Sequence, residues 1–279
     1  MKVEFVNTER ALSPTSIDLA DFVINPYKGC QVGCAYCYAR SNKGLKKSND
    51  IWGESVSVKK NFLELLEKDI QKIGPENIGK VLIGSTAEVF QPIEQEYHLT
   101  ENTLKILKKY QIPFVLLTKM NGIVNFLDLL DYSEKNTIYF TYNHESVRTL
   151  FEKRSFPQIE RLKVIQSIFE RKIRLNVYIS PVFPGITDVQ LVFEELKGKT
   201  DRIYFEAYNP RLGNWDEIRL KLPDGLISEY ERIFFQKEDY KTFWNDFKAN
   251  TDRLNGAYGY KIQYFIYPFG EYYNVPSVV

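Results

Sequence analysis

The chain has 279 residues, of which 44% are apolar, with 19 Phe and 19 Tyr, 37 basic and 36 acidic side chains. That is enough apolar material for one large α/β domain or a domain with an appended subdomain, and the balanced charge excludes a global field drawing the chain to nucleic acid or an anionic membrane. Glu4, Glu9 and Arg10 interrupt the N-terminus and the longest apolar runs, such as Ile112 to Leu117, fall far short of a membrane span, so the chain reads as soluble and cytoplasmic.

From about residue 21 to 210, short β-rich runs alternate with amphipathic helical patterns. The strand candidates are Asp21–Pro26, Lys80–Gly84, Pro113–Thr118, Asn136–Thr141, Arg174–Ser180 and Arg202–Ala207. Most are near-continuous runs of Val, Ile, Phe and Tyr, the pattern of parallel strands buried on both faces. Between them, Phe62, Leu65, Leu66, Ile70 and Ile73 form one helical stripe, and Ile159, Leu162, Ile165, Ile168 and Phe169 form another. Thr100 is the expected N-cap of a helix through Leu104 and Leu107, and Asp188 that of a helix carrying Val192, Phe193 and Leu196.

After Pro210 a loop from Asn209 to Asn214 leads into two helical stretches, the second carrying Tyr240, Phe243, Trp244 and Phe247, and then an aromatic strand at Lys261–Tyr267. The aromatic stripe reads as core rather than as a base-stacking surface. The organisation is a lead-in over residues 1–20, an α/β unit over 21–210, and a C-terminal extension over 211–279 packed on it. An open doubly wound sheet and a partial barrel both satisfy this pattern.

The three cysteines fall within eight residues, as Cys30, Cys34 and Cys37, directly after the first strand of the α/β unit. An odd, tightly grouped set is a poor disulfide framework and a good metal site. Gly29 and Gly33 allow the backbone to turn tightly enough to aim three thiolates at one centre, and thiolates suit zinc or iron–sulfur clusters. A structural zinc needs a fourth protein ligand, for which the sequence offers only His98 and His144. Three ligands on a four-iron cube leave one iron open to bind and polarise a substrate. Three unrelated buried cysteines, or zinc completed by a histidine, remain alternatives at this point.

The C-x3-C-x2-C spacing with Tyr36 before the last cysteine resembles the radical S-adenosylmethionine superfamily. The flanks Asn25-Pro26-Tyr27-Lys28-Gly29 and Tyr38-Ala39-Arg40 resemble its spore photoproduct lyase-like family. So do Gln91-Pro92-Ile93-Glu94 with Leu99-Thr100, Leu117-Thr118-Lys119, Arg161-Leu162 and the run Pro181 to Asp188, in collinear order over about residues 12 to 190.

The resemblance implies a partial (β/α)6 TIM-like barrel with a C-terminal helical and aromatic extension. It implies a 4Fe–4S cluster on Cys30, Cys34 and Cys37, and S-adenosylmethionine bound at the open iron and reductively cleaved to a radical that abstracts hydrogen. Tyr36 is expected beside the adenine, and Ser85, Thr86 and Glu88 beside the methionyl group. Many relatives carry Thr-Asp where this chain has Ala87-Glu88. Lys119 is expected to pair with the carboxylate, and Thr141 and Asn143 to reach the ribose. An electron donor such as a flavodoxin or ferredoxin is the implied partner.

Spore photoproduct lyase itself uses a further cysteine as hydrogen donor, and this chain has none after Cys37. DNA repair is therefore the minority expectation, with a tyrosine among Tyr38, Tyr142, Tyr178 and Tyr208 as an alternative relay. An electron carrier or a zinc-stabilised binding protein represent the other classes. Glu94 and Arg161 read as structural.

Overall fold

The computed structural model describes residues 1–41, 51–152 and 154–269; residues 42–50, 153 and the end of the expected extension, 270–279, lie outside the described residues. In chain order the strands are β1 (Lys2–Val6), β2 (Ser13–Pro14), β3 (Phe22–Ile24), β4 (Tyr27–Lys28), β5 (Ser55–Lys59), β6 (Val81–Ile83), β7 (Phe114–Thr118), β8 (Thr137–Thr141), β9 (Arg174–Val182), β10 (Arg202–Ala207) and β11 (Lys261–Phe265). The α-helices are α1 (Phe62–Ile73), α2 (Glu94–Tyr97), α3 (Leu99–Lys109), α4 (Glu145–Phe151), α5 (Gln158–Glu170), α6 (Val189–Leu196), α7 (Trp215–Lys221), α8 (Asp224–Phe235) and α9 (Lys237–Asn255).

The main sheet runs β11-β10-β9-β8-β7-β6-β3-β2, with only β2 antiparallel to its neighbour. The six expected strands are β3 and β6 to β10, and β11 adds a parallel strand beyond them. Its edges stay open among the described residues, so the sheet is a partial barrel.

Two-residue alternation sorts the strand side chains between two layers. Leu175, Val177 and Ile179 of β9 face the helices, with Ile138 and Phe140 of β8 and Ile203 and Phe205 of β10. Val23, Leu82, Val115, Tyr139 and Tyr204 face the other way and fill the barrel interior, where Leu117 and Tyr178 join them. The near-continuous apolar runs follow from this double burial.

A second sheet, β1-β5-β4, lies outside the sequence-based reading. It carries the approach to the first cysteine: Gly29 follows β4 at φ +85°, and a Cβ there would stand 2.5 Å from the Ser55 carbonyl oxygen at the start of β5.

Three expectations are corrected. Thr100 lies inside the first turn of α3, and its hydroxyl donates to the Val89 carbonyl at 2.7 Å. The capping group is Glu94, whose carboxylate accepts the Thr100 N–H at 2.9 Å and the Glu101 N–H at 2.8 Å. A carboxylate from outside the helix satisfies two orphan donors at once, which a threonine hydroxyl cannot. On α5 the buried face is Arg161, Val164, Ile165 and Ile168, while Ile159 is 60% exposed. The helix is rotated because Arg161 is drawn inward to a buried partner. The region after Pro210 holds three helices rather than two, α7 to α9. Asp188 does cap α6, accepting the Leu191 N–H at 3.0 Å. Tyr240 and Trp244 of α9 are buried core residues.

Candidate functional site

The cysteine loop leaves the C-terminal end of β3 and is braced from beneath. The buried Gln91 side chain accepts the Gln31 N–H at 2.8 Å and donates to the Gly29 carbonyl at 3.4 Å. Gln31 returns the contact by accepting the Ile93 N–H at 2.7 Å. Gly33 has φ +61°, and its Cβ position would meet Gly53 Cα at 3.0 Å, so both glycines of the loop are required by geometry. The loop is tied onward by the Ala35 N–H to the Phe151 carbonyl, 2.9 Å, and the Cys37 N–H to the Cys34 carbonyl, 3.2 Å.

All three thiols are free, with Cys30 and Cys34 buried and Cys37 half-buried. Burial pushes each of them up, Cys37 to about 12. Opposing this, the backbone around Cys30 and Cys37 and the Lys119 ammonium beside Cys34 lower the thiols. The thiol donor set and its dryness fit an iron–sulfur cluster.

Among the described residues, no group of three His, Cys, Asp or Glu side chains is arranged to hold a single metal ion. An iron–sulfur cluster would be held by the three cysteine thiolates. The histidines that zinc would need are engaged elsewhere. His98 Nδ1 lies 3.1 Å from Glu101, and the His144 ring accepts the Ser146 N–H at 3.3 Å and lies 3.7 Å from Glu195.

Beside the cysteines is a buried charge network. Lys119, one residue past β7, places Nζ 3.6 Å from Cys34 Sγ, 2.7 Å from the Tyr36 hydroxyl and 3.1 Å from Glu152 Oε1. The Glu152 carboxylate is fully buried. It accepts from the Tyr36 hydroxyl, from Asn143 Nδ2 at 2.8 Å, from Ser155 Oγ at 3.1 Å and from the fully buried Arg161 at 3.3 Å. Arg161 also donates to the Asn143 carbonyl at 2.6 Å. Burial alone would push the Glu152 carboxyl up, but Lys119 and Arg161, with the Tyr36 and Asn143 hydrogen bonds, outweigh it and bring the group down to about 2. Two cations against one carboxylate leave the network one positive charge in excess, next to Cys34. An anion is the natural complement of such a site.

The other predicted residues are distributed around this core. Tyr36 packs its ring 5.7 Å from that of Phe183. Asn143 donates to Glu152, Tyr36 and the Ser180 carbonyl, yet its Oδ1 is buried without a partner. Thr141 ends β8 two residues beyond Tyr139, on the interior face. Ser85 and Thr86 follow β6 and are held by Asn25, which donates to Ser85 Oγ at 3.1 Å and accepts the Thr86 N–H at 3.1 Å.

The Glu88 carboxylate accepts from Thr118 Oγ1 at 2.6 Å, from the Phe90 N–H at 3.0 Å and from the Lys119 N–H at 2.9 Å, so it braces the strand end that presents Lys119. Of the tyrosines, Tyr38 donates to the Ser85 carbonyl, Tyr142 to Glu195 and Tyr208 to the Gly213 carbonyl, while Tyr178 packs in the barrel interior.

Sequence reasoning missed Glu152 and Asn25. Asn25 was part of the lead-in motif, and a polar residue ending a buried strand was its signal. Glu152 follows α4 with no periodicity to single it out. Its meaning comes from Arg161, nine positions on, a charge on a helix face that is otherwise apolar.

No family model matches the chain. Spore photoproduct lyase complexed with dinucleoside spore photoproduct superposes over 94% of this chain and 82% of its own, with TM-score 0.65 and 17% identity. Streptococcus suis SuiB bound to the precursor peptide SuiA superposes over 78% of this chain and 46% of its own, with TM-score 0.50 and 14% identity. In sequence, the radical SAM Nα-GlyT isomerase of Pseudomonas phage M6 is 28% identical over 183 residues, 61% of this chain and 36% of that protein. The fold is shared with these solved radical S-adenosylmethionine enzymes. The uncharacterized protein MJ0683 of Methanocaldococcus jannaschii is 30% identical over 251 residues, 87% of this chain and 91% of that protein. The chain belongs to the same family as MJ0683.

Proposed function

We propose that this protein holds a 4Fe–4S cluster on Cys30, Cys34 and Cys37 and binds S-adenosylmethionine against it to abstract hydrogen from a substrate. Such a cluster, when bound and reduced, supplies the electron that breaks a carbon–sulfur bond of S-adenosylmethionine and so furnishes a hydrogen-abstracting carbon radical. The observation that carries this reading is the Lys119 ammonium, 3.6 Å from Cys34 Sγ and held on a buried carboxylate.

The remaining residues bind, orient and exclude water. Lys119 offers a charge-assisted contact to the amino-acid carboxylate, and Glu152 and Tyr36 keep its ammonium in place. The free Oδ1 of Asn143 suits a ribose hydroxyl, with Thr141 beside it on the strand end. Tyr36, backed by the buried Phe183, offers aromatic surface for the adenine, and the Ser85-Thr86 turn lies on the methionyl side. Glu88 acts through Lys119 rather than on the cofactor. The apolar barrel interior keeps the reactive centre dry. A flavodoxin- or ferredoxin-type donor supplies the electron, in the cytoplasm.

Anaerobic reconstitution tests this. The expected outcome is a brown protein that, once reduced, forms 5′-deoxyadenosine from S-adenosylmethionine. A colourless protein with one zinc ends the proposal, and a coloured protein inert to S-adenosylmethionine identifies an electron carrier instead.

A further inference from the structure

A second polar feature sits in the barrel mouth, apart from the cysteine site. Glu206 lies two residues beyond Tyr204 on β10 and shares its interior face. Its carboxylate accepts from the Ser180 hydroxyl and from the Tyr267 hydroxyl at 2.6 Å, and Tyr178 lies within electrostatic reach of it. These partners are all hydroxyls: among the described residues, no lysine, arginine or histidine pairs with Glu206. A half-buried carboxylate without a counter-cation is unusual, since its charge is neither fully hydrated nor neutralised.

The surroundings are aromatic. Tyr139 and Tyr204 meet edge to face at 5.3 Å, Tyr204 stacks on Phe265 at 5.9 Å, and Tyr178 meets the edge of Phe265 at 6.0 Å. Ring faces attract cations and planar groups. The position is the C-terminal end of the parallel strands, where barrel enzymes place their substrates. It is also joined to the site above: the Ser180 hydroxyl donates to Glu206, while its carbonyl accepts from Asn143 Nδ2 at 2.9 Å. Tyr38, adjacent to Cys37 in sequence, lies within electrostatic reach of both that thiol and Glu206.

We infer that Glu206, with Ser180, Tyr178 and Tyr267, forms the substrate subsite, and that it takes a planar ligand presenting a positive charge or paired N–H donors. The inference rests on the radical-enzyme reading and names the substrate chemistry for that site. The carboxylate receives the donor group, the tyrosines and Phe265 flank the plane, and Ser180 sets the distance to the adenosyl position.

The test uses the reconstituted holoprotein and two probes of one shape, benzamidine and benzoate, with calorimetric titration as the readout. Benzamidine is expected to bind and benzoate not to. In Glu206→Gln benzamidine binding weakens by about tenfold or more. Failure of benzamidine to bind, equal binding of benzoate, or unchanged binding in Glu206→Gln overturns the inference. Should Glu206→Gln not fold, a crystal structure of the wild-type benzamidine complex decides: an amidinium seated on Glu206 supports the subsite, and any other seat overturns it. Formation of 5′-deoxyadenosine without substrate, measured on the same samples, reports separately on the radical-enzyme reading.

Discussion

The Lys119 ammonium and the Glu152 carboxylate lie 3.1 Å apart, with the carboxylate wholly removed from solvent. The pair joins the end of β7 to the segment after α4, and through Cys34 it touches the cysteine loop. Coupling of this kind makes stability and cofactor binding depend on the same few atoms.

Removing the charge of Glu152 leaves both Lys119 and the fully buried Arg161 without a counter-ion. Loss of one partner from a buried ionic network costs about 3–5 kcal/mol. Glu152→Gln is expected to lower stability by that order in denaturant titration. The double variant Glu152→Gln, Arg161→Met should recover part of the loss, because it removes the stranded arginine as well.

The same carboxylate sets an acid limit. Its folded-state value, about 2, lies below the unfolded carboxyl range of about 4.3. The unfolded chain therefore takes up the proton first as pH falls. The stabilisation is complete above about pH 5 and is lost progressively toward pH 2. Unfolding of cluster-free wild type and Glu152→Gln, compared at pH 7 and pH 3.5, should show the gap between them narrowing at the lower pH. A gap independent of pH would contradict the assignment.

Lys119→Met keeps the length of the side chain and removes its charge. The expected result is a normal iron content with S-adenosylmethionine binding weakened by about 10- to 100-fold, on the order of 1.4–3 kcal/mol for a charge-assisted contact. Equilibrium dialysis of the reconstituted protein measures it. Asn143→Ala should weaken binding less, by about tenfold or below, since one neutral hydrogen bond is lost.

At Gly29 a side chain meets two obstacles, φ of +85° and the Ser55 carbonyl 2.5 Å from the new Cβ. Gly29→Ala should therefore displace the loop from β5. A destabilisation of about 1–3 kcal/mol is expected from the strain, together with reduced iron loading, read from iron analysis and visible absorbance. Gly198→Ala also has positive φ, but nothing lies within 4 Å of its Cβ position, and it should load iron normally.

Glu94 provides a structural counterpart. It accepts two N–H groups at the start of α3 and the hydroxyl of the buried Tyr27. Glu94→Ala leaves all three donors unmet inside the protein, at about 1–3 kcal/mol for each buried orphan group. Thermal unfolding should show it as one of the most damaging single changes outside the cysteine region.

Several of these contacts were visible in the chain before folding was considered. The cysteines declare themselves by spacing, the parallel strands by unbroken apolar runs, and Lys119 by its place at a strand end. The bracing roles of Asn25 and Gln91 do not, because each acts on residues about 60 positions away, and Glu152 has no periodicity of its own to mark its contact with Lys119, 33 positions off. The rotation of α5 was hidden for a related reason. A helical stripe counts apolar residues, and it cannot register that a buried carboxylate elsewhere has made an arginine the inward-facing residue.

The linear order of residues thus determined the alternation of strand and helix and the grouping of the three thiols, since those depend on spacing and local periodicity. Only tertiary structure decided which charges meet beside Cys34, that Glu88 braces the strand end below Lys119 and Glu94 the start of α3, and that Glu206 sits among hydroxyls in the barrel mouth. Pairings between distant segments depend on packing geometry, and packing has no signature in a single chain read end to end.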